Sequence, residues 1–145
     1  MDILKILLMI AVVAVVPVVM WLTSRNKPTV LANELMFNGV YIYRIDQKTQ
    51  SFLRFYADGT VLITSSPDKP EPAFTWFAQE KMKELDLSNG RYQLQDVNLS
   101  FFCDDNQGNR IDCKGTIAAD ILTLDYKNAR NDQHETRMYQ FVKVA

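Results

Sequence analysis

The stretch Leu53 to Ser66, LRFYADGTVLITSS, predicts a β-hairpin. Apolar and polar side chains alternate on both sides of an Asp-Gly pair, which is the period of a strand with one buried face. The pair Asp58-Gly59 is a strong turn signal, because tight hairpin turns need residues that tolerate positive φ. The stretch therefore indicates two antiparallel strands joined at an Asp-Gly corner.

The same period of two continues outward from this hairpin, from Phe37 to the C-terminus, with turn signals at near-regular spacing. We predict eight strands, approximately Gly39–Ile45, Ser51–Tyr56, Thr60–Ser65, Gly90–Gln95, Asn98–Cys103, Arg110–Ala118, Ile121–Tyr126 and Thr136–Val144. Their connections are mostly short and rich in Asp, Asn and Gly, which favours hairpins between neighbours. Closure of such a meander removes exposed strand edges. The predicted fold is an all-β, up-and-down antiparallel β-barrel of about eight strands.

One segment, Ser66 to Asn89, interrupts the strand pattern. Its first part, SPDKPEP, is a loop punctuated by proline, and its second part, AFTWFAQEKMKELDL, places apolar residues at three- and four-residue spacings on one helical face. We predict one capping helix at an end of the barrel. In this prediction Trp76 and Phe77 plug the barrel mouth and the segment acts as a mobile lid.

The N-terminal run Ile6 to Leu22, ILLMIAVVAVVPVVMWL, contains no charged side chain. A helix rises about 1.5 Å per residue, so this run just crosses a hydrocarbon core of roughly 30 Å. A cleaved signal peptide is the alternative, but Met20, Trp21 and Leu22 are poor neighbours for a cleavage site. We predict a single N-terminal transmembrane helix that contacts the lipid bilayer through residues 3–22.

The predicted organisation is therefore an anchor at residues 1–24, a tether at 25–36 and a barrel at 37–145. The chain is 48% hydrophobic and 23% charged, which is typical of a globular domain and excludes disordered and collagenous classes. From Glu34 onward there are 13 basic and 16 acidic residues, so this part has a net charge near −3. The two signs are interspersed, and this pattern argues against a nucleic-acid partner, which needs clustered positive charge.

Four segments, NGVYIYRI, LRFYADGTVLITSSPDKPEP, GRYQLQDVNLSF and MYQFVKV, resemble the lipocalin-like β-domain at the C-terminus of certain F-box ubiquitin-ligase adaptor proteins, and more loosely calycin barrels. The residues that carry the resemblance are Gly39, Tyr41, Arg54, Phe55, Asp58, Gly59, Gly90, Tyr92 and Phe141. The resemblance implies a barrel. The sequence contains no F-box, so ubiquitin ligation is not implied.

Aromatic residues are numerous in the predicted barrel, and they either line a pocket for an apolar ligand or fill the core. Arg54 alternates with Phe52 and Tyr56. If it points inward, its guanidinium must be paired or meet an anionic ligand head; if it points outward, it is solvated. The candidate ligand-binding residues are Arg54, Trp76, Phe77, Tyr92 and Phe101.

Cys103 and Cys113 fall on the apolar face of two successive strands. A ladder that pairs residues whose numbers sum to 216 places them directly opposite each other, within disulfide range. A sum of 214 keeps every side chain on the same face but separates the sulfurs. We predict a cross-strand disulfide on the first register, with two buried free thiols as the alternative.

No residue pattern indicates a catalyst. His134 is the only histidine and lies in a polar stretch, NARNDQHET, which predicts a solvated loop residue. No serine stands in a nucleophile-elbow context, and neither the cysteines nor the histidine have metal-ligand spacing. We therefore expect no enzyme activity, no metal and no cofactor.

These observations predict a membrane-tethered, noncatalytic binding module of lipocalin-like fold, for a small apolar ligand or a membrane protein partner. The alternative is a structural or assembly subunit of a membrane complex that uses the barrel only as an interaction surface. A disulfide would place the barrel on the exported side of the membrane. Arg25 and Lys27 after the apolar run, against Lys5 before it, weakly favour the cytoplasmic side.

Overall fold

The computed structural model of the protein describes residues 34–105 and 107–144. The predicted transmembrane helix at residues 3–22 lies outside these residues, as does most of the predicted tether. Across the ranges that are described, no helix has the length and apolar character needed to span a bilayer.

The described residues form a closed barrel of eight antiparallel strands in chain order, and the last strand pairs with the first. The strands are β1 Gly39–Arg44, β2 Gln50–Phe55, β3 Thr60–Ser66, β4 Ser88–Gln95, β5 Asn98–Asp104, β6 Arg110–Ala118, β7 Ile121–Asn128 and β8 Gln133–Lys143. The predicted all-β barrel of eight strands is therefore confirmed. Between β3 and β4 lie helix α1, Pro70–Trp76, and a 3-10 turn, Gln79–Lys81.

Side chains on the inward face of the strands fill the barrel. They include Tyr41, Leu53, Phe55, Leu99, Phe101, Ile117, Leu122, Leu124 and Tyr139, all at most 5% exposed. The end of the barrel where β1 begins is covered by Leu35, which packs against this interior cluster. The backbone N–H of the next residue, Met36, donates to the Tyr41 hydroxyl over 3.0 Å. We call this the closed end, and the opposite one, where β1 ends, the open end.

A second apolar cluster lies on the outside of the barrel. Outward side chains of β1 to β3, including Val40, Phe52 and Leu62, pack against Ala73 and Phe77 from the α1 segment. The period of two explains both clusters, because Phe52 and Leu62 point outward while their neighbours point inward. Helix α1 therefore packs on the side of the barrel. The prediction that it caps a barrel end is wrong.

The position of α1 along the chain also differs from the prediction. The helix begins at Pro70, inside the stretch predicted to be a loop. Proline is tolerated in the first turn of a helix, where no backbone N–H has an intrahelical acceptor. The helix ends at Trp76 rather than continuing to Leu87, because Phe77 leaves helical geometry at φ −80° and ψ 72°.

Candidate functional site

The five predicted ligand-binding residues do not form one site. Tyr92 and Phe101 point into the barrel, where both pack edge-to-face on Phe55 with ring centroids 5.3 and 5.7 Å apart. Arg54, Trp76 and Phe77 lie in the outer layer with α1. The wall of the barrel separates the two groups.

Arg54 points outward but is covered by α1 rather than solvated. Its Nη1 donates to the backbone carbonyl oxygens of Phe74 and Phe77 over 3.2 and 2.8 Å. Its guanidinium also lies 3.7 Å from the centre of the Phe74 ring. A cation at the last carbonyls of a helix satisfies acceptors that have no partner within the helix. Arg54 therefore ends α1; of the two orientations left open, the outward one is observed, but the side chain is covered by the α1 segment and not solvated.

Trp76 and Phe77 hold the outer layer together and do not reach the barrel mouth. Phe77 is fully buried, with its ring centroid 6.4 Å from that of Phe52. The Trp76 indole donates to the Asp68 carboxylate over 2.8 Å. The prediction that these two side chains plug the barrel is wrong, because both lie on its outside.

The polar group that does lie inside the barrel is Arg137 on β8, which the sequence analysis did not single out. Its side chain is 2% exposed. Its Nε donates to the Glu135 carboxylate over 2.7 Å, and its Nη1 donates to the Tyr139 hydroxyl over 3.2 Å. The guanidinium lies 3.5 Å from the centre of the Tyr126 ring and 4.9 Å from that of Tyr43.

The polar network continues on both sides of Arg137. The Tyr139 hydroxyl lies 2.9 Å from Ser51 Oγ on β2, and Gln133 Nε2 donates to the same Glu135 oxygen over 2.8 Å. Two opposing effects act on the pKa of Tyr139. Loss of solvent raises this pKa well above its usual range, and the nearby Arg137 cation lowers it by a smaller amount. Two rings and two polar side chains thus contact the guanidinium, and two further polar side chains hold those partners in place.

One nitrogen of Arg137 has no protein partner among the described residues. The two recorded hydrogen bonds use Nε and Nη1, which leaves Nη2 without an acceptor. The buried side-chain atoms without a partner in this part of the chain are Gln50 Oε1 and Arg54 Nε. Nη2 is not one of these fully buried atoms, although the Arg137 side chain as a whole is only 2% exposed.

A cavity of about 260 Å³ lies at the open end of the barrel. Ser51, Ile63, Ile111 and Tyr126 contribute to its wall from the barrel interior, and Leu85 to Leu87 contribute from the segment before β4. Tyr126 contacts Arg137 directly, and Ser51 contacts it through Tyr139. The open end therefore has a small cavity with a mainly polar wall that includes Asp86, and a fixed guanidinium lies directly behind Tyr126 of that wall.

The sequence does contain a signal for Arg137. In ETRMYQF, Glu135, Arg137, Tyr139 and Phe141 share one face of the strand. Tyr139 and Phe141 belong to the aromatic set expected in the barrel, so the same alternation directs Arg137 inward. A charged residue on the core face of a strand is the pattern that identifies this site.

The register between β5 and β6 differs from the one predicted. Phe101 pairs with Cys113 and Cys103 pairs with Ile111, so the paired numbers sum to 214. The two cysteines are therefore diagonal neighbours, whose Cα atoms lie about 7 to 8 Å apart in an ideal ladder, beyond the usual disulfide range. Both are buried free thiols in the structure. A disulfide between directly paired cysteines therefore no longer supports placing the barrel on the exported side of the membrane. That placement stays a prediction, and protease protection in intact cells would check it.

Buried acidic groups in the barrel predict loss of stability at alkaline pH. Burial raises the pKa of the Cys113 thiol from 9.0 to about 12, and the pKa of Cys103 is raised further by the same cause. A group that ionises more easily when unfolded stabilises the fold fully below its ordinary pKa, and this contribution is lost as pH rises. Between pH 9.0 and about 12, Cys113 alone is expected to cost about 1.4 kcal/mol per pH unit.

Urea unfolding of the protein from about pH 8 to pH 11 checks this expectation. The urea midpoint of the wild type should fall with pH above about 9. The midpoint of C113A should fall less steeply with pH, whatever its value at pH 8. A midpoint that stays constant across this range would contradict the assigned burial of the thiols.

His134 lies in strand β8, not in a loop, and its exposed side chain is within hydrogen-bond distance of a carboxylate. Its Nε2 lies 2.6 Å from Asp125 Oδ1 on β7. Within the described ranges, no three His, Cys, Asp or Glu side chains cluster closely enough to hold a metal ion. The expectations of no enzyme activity and no cofactor stay predictions.

Comparison of the chain with protein-family models, with curated proteins and with solved structures finds no match. The structure itself shows the fold class, which is a closed eight-stranded antiparallel barrel.

Proposed function

We propose that the protein is a membrane-tethered, noncatalytic binding module of lipocalin-like fold, which takes up a small ligand with an apolar body and an anionic group. The observation that supports this proposal is the buried guanidinium of Arg137, which contacts Tyr126 in the wall of the open-end cavity and is joined to Ser51 in that wall through Tyr139. The apolar run at residues 3–22 supports the tether.

The chemistry of the site favours an anion. A guanidinium inside a barrel is costly unless it is paired, and Arg137 has one carboxylate partner, Glu135. Glu135 is 35% exposed, so its carboxylate can turn to solvent when another anion arrives. A ligand carboxylate would then accept from the guanidinium in the geometry that arginine favours.

The size of the site limits the ligand. Side chains already fill the barrel toward the closed end, where Phe55, Leu99 and Leu122 are at most 1% exposed. The ligand is therefore confined to the open end and its cavity of about 260 Å³. Its apolar body contacts Ile63, Ile111 and the Tyr126 ring, and its anionic group reaches Arg137.

Benzoate and its neutral analogue benzyl alcohol are suitable probes for calorimetric titration of the full chain in detergent. Benzoate should bind and benzyl alcohol should bind at least tenfold more weakly. R137M should abolish the difference between them, while K143M, which replaces an exposed lysine at the other end of β8, should leave it unchanged.

A second variant keeps the test informative if R137M does not fold. E135Q removes the internal competitor for the guanidinium, so benzoate should bind several-fold more tightly to it. Equal binding of the acid and the alcohol, or weaker benzoate binding to E135Q, would contradict the proposal.

A further inference from the structure

One cavity of the described barrel lies on its outside. It is a groove of about 670 Å³ across the outward faces of β4 to β7. The strand ladder places Phe102 opposite both Arg91 and Asp112, and places Lys127 opposite Asp112 on the next strand. In the neighbouring row, Lys114 lies opposite Asp125. The groove is thus built on rows of side chains that cross four strands, on the opposite side of the barrel wall from Arg137.

Positive charge in this groove is only partly neutralised. The carboxylate of Asp112 lies 3.3 Å from Arg110, and that of Asp125 lies 2.6 Å from His134. Lys114 and Lys127 have no ion-pair partner within 4.0 Å among residues 34–105 and 107–144. The residues from Glu34 onward carry a net charge near −3. The unpaired cations Lys114 and Lys127 therefore lie on the same face of a domain whose net charge is negative.

An exposed aromatic ring lies among these cations. Phe102 is 44% exposed, on the outward face of β5. The guanidinium of Arg110 lies 3.9 Å from the centre of its ring. A solvent-facing aromatic flanked by cations is the arrangement that anchors an apolar side chain of a partner between charged contacts.

A peptide fits this groove better than a membrane surface does. Asp112 and Asp125 lie among the lysines, and a flat anionic bilayer would meet these carboxylates together with the cations. A peptide can place its own carboxylates at the lysines and avoid the aspartates. The ladder of the barrel is closed, so its strands offer no free edge to such a peptide and recognition depends on side chains.

We propose that the groove across β4 to β7 binds a short acidic peptide segment of a protein partner. Carboxylates of the segment pair with Lys114, Lys127 and Arg91, and an apolar side chain of the segment packs on Phe102. This site is independent of the ligand proposed for the open end, because it lies on the other side of the barrel wall.

The test uses fluorescence anisotropy of a labelled peptide, Glu-Glu-Phe-Glu-Glu, with the full chain in detergent micelles. The wild type should bind it saturably, and affinity should fall as salt rises. The double variant K114E/K127E should weaken binding at least tenfold, and F102S should weaken it several-fold. Control peptides replace either the four Glu by Gln or the Phe by Gly, and both should bind more weakly.

The control variant K48E/K83E carries the same charge change on exposed lysines outside the groove, and it should bind like the wild type. Equal weakening by this control would show that the total charge of the domain, not the groove, attracts the peptide, and would overturn the proposal. The proposal is also overturned if the wild type shows no saturable binding. Two other results would also overturn it. In the first, K114E/K127E, but not the control variant, loses binding to vesicles of anionic lipid while it still binds the peptide. In the second, K114E/K127E, but not the control variant, loses self-association of the chain.

Discussion

Replacing Gly90 with valine is expected to unfold the barrel. Gly90 lies in β4 between Val61 on β3 and Cys103 on β5. A Cβ atom added to Gly90 would overlap the carbonyl oxygen of Phe102, and it would lie 2.9 Å from that carbonyl carbon and 3.3 Å from the Cα of Cys103. These are backbone atoms of the neighbouring strand, so no side-chain rotation relieves the overlap. β5 would have to move away, and the hydrogen bonds between β4 and β5 would be lost.

Overpacking of a core usually costs about 1 to 3 kcal/mol. Here the obstacle is backbone, so we expect a cost above about 4 kcal/mol, which is a large part of the stability of a typical domain. Urea unfolding followed by circular dichroism measures the difference. G108N is the matched control, because Gly108 lies in the β5–β6 turn with φ 77° and a Cβ there meets nothing within 4 Å. Asparagine tolerates that conformation. Similar midpoints for the two variants would contradict the close approach of β4 and β5.

The strands themselves were predictable because each pattern is local. Alternation places one apolar side chain in every two along β4 to β8, and short Asp- and Gly-rich turns connect neighbours. Seven of the eight predicted strands differ from the observed ones by no more than two residues at either end, and the eighth begins three residues earlier than predicted. Closure of the barrel also follows from the pattern, because an open meander would expose unpaired backbone groups on its first and last strands.

The register between β5 and β6 was not predictable from the alternation. A slip of two residues leaves every side chain on its own face, so sums of 214 and 216 bury the same residues. The turn decides between them. The Asp105 carboxylate accepts from the backbone N–H groups of Gln107 and Asn109 over 2.8 and 3.0 Å. This five-residue connection pairs Asp104 with Arg110 and sets the sum at 214.

The end of helix α1 was not predictable either, because tertiary contacts determine it. The periodicity of AFTWFAQEKMKELDL is helical throughout, but the Arg54 guanidinium donates hydrogen bonds to the carbonyl oxygens of Phe74 and Phe77. The Tyr56 hydroxyl accepts from the backbone N–H of Gln79 over 2.8 Å. Both side chains come from the hairpin LRFYADGTVLITSS, so that stretch also positions the outer layer.

The direction of Arg54 was not predictable from its own strand. Arg54 alternates with Phe52 and Tyr56, and the aromatic character of these neighbours left an inward and an outward orientation open. These rings are buried under α1, because the outside of β1 to β3 is apolar as well. A strand that is buried on both faces loses the alternation that separates inside from outside. On β8 the outward face is mostly exposed, and there the alternation with Tyr139 and Phe141 places Arg137 inside.

Replacing Arg137 with methionine is expected to destabilise the protein by about 3 kcal/mol, at the lower end of the cost of breaking a buried ion pair. The side chain is 2% exposed, and its removal takes a charged donor from Glu135 and another from the Tyr139 hydroxyl. Tyr139 keeps Ser51 as a partner and Glu135 keeps Gln133. Since Glu135 is also 35% exposed, solvent relieves part of the loss.

A double-mutant cycle with E135Q separates the ion pair from the packing of the arginine stem. In R137M/E135Q no unpaired carboxylate remains, so the double variant should be more stable than R137M, with a coupling energy of about 1 to 3 kcal/mol from urea unfolding. H134Q is the control on the same strand, because His134 faces outward and should add independently to R137M. If R137M costs less than about 1 kcal/mol, or if E135Q does not improve it, then the guanidinium is not held by Glu135 inside the barrel. In that case the anion site at the open end would have no fixed charge to act through.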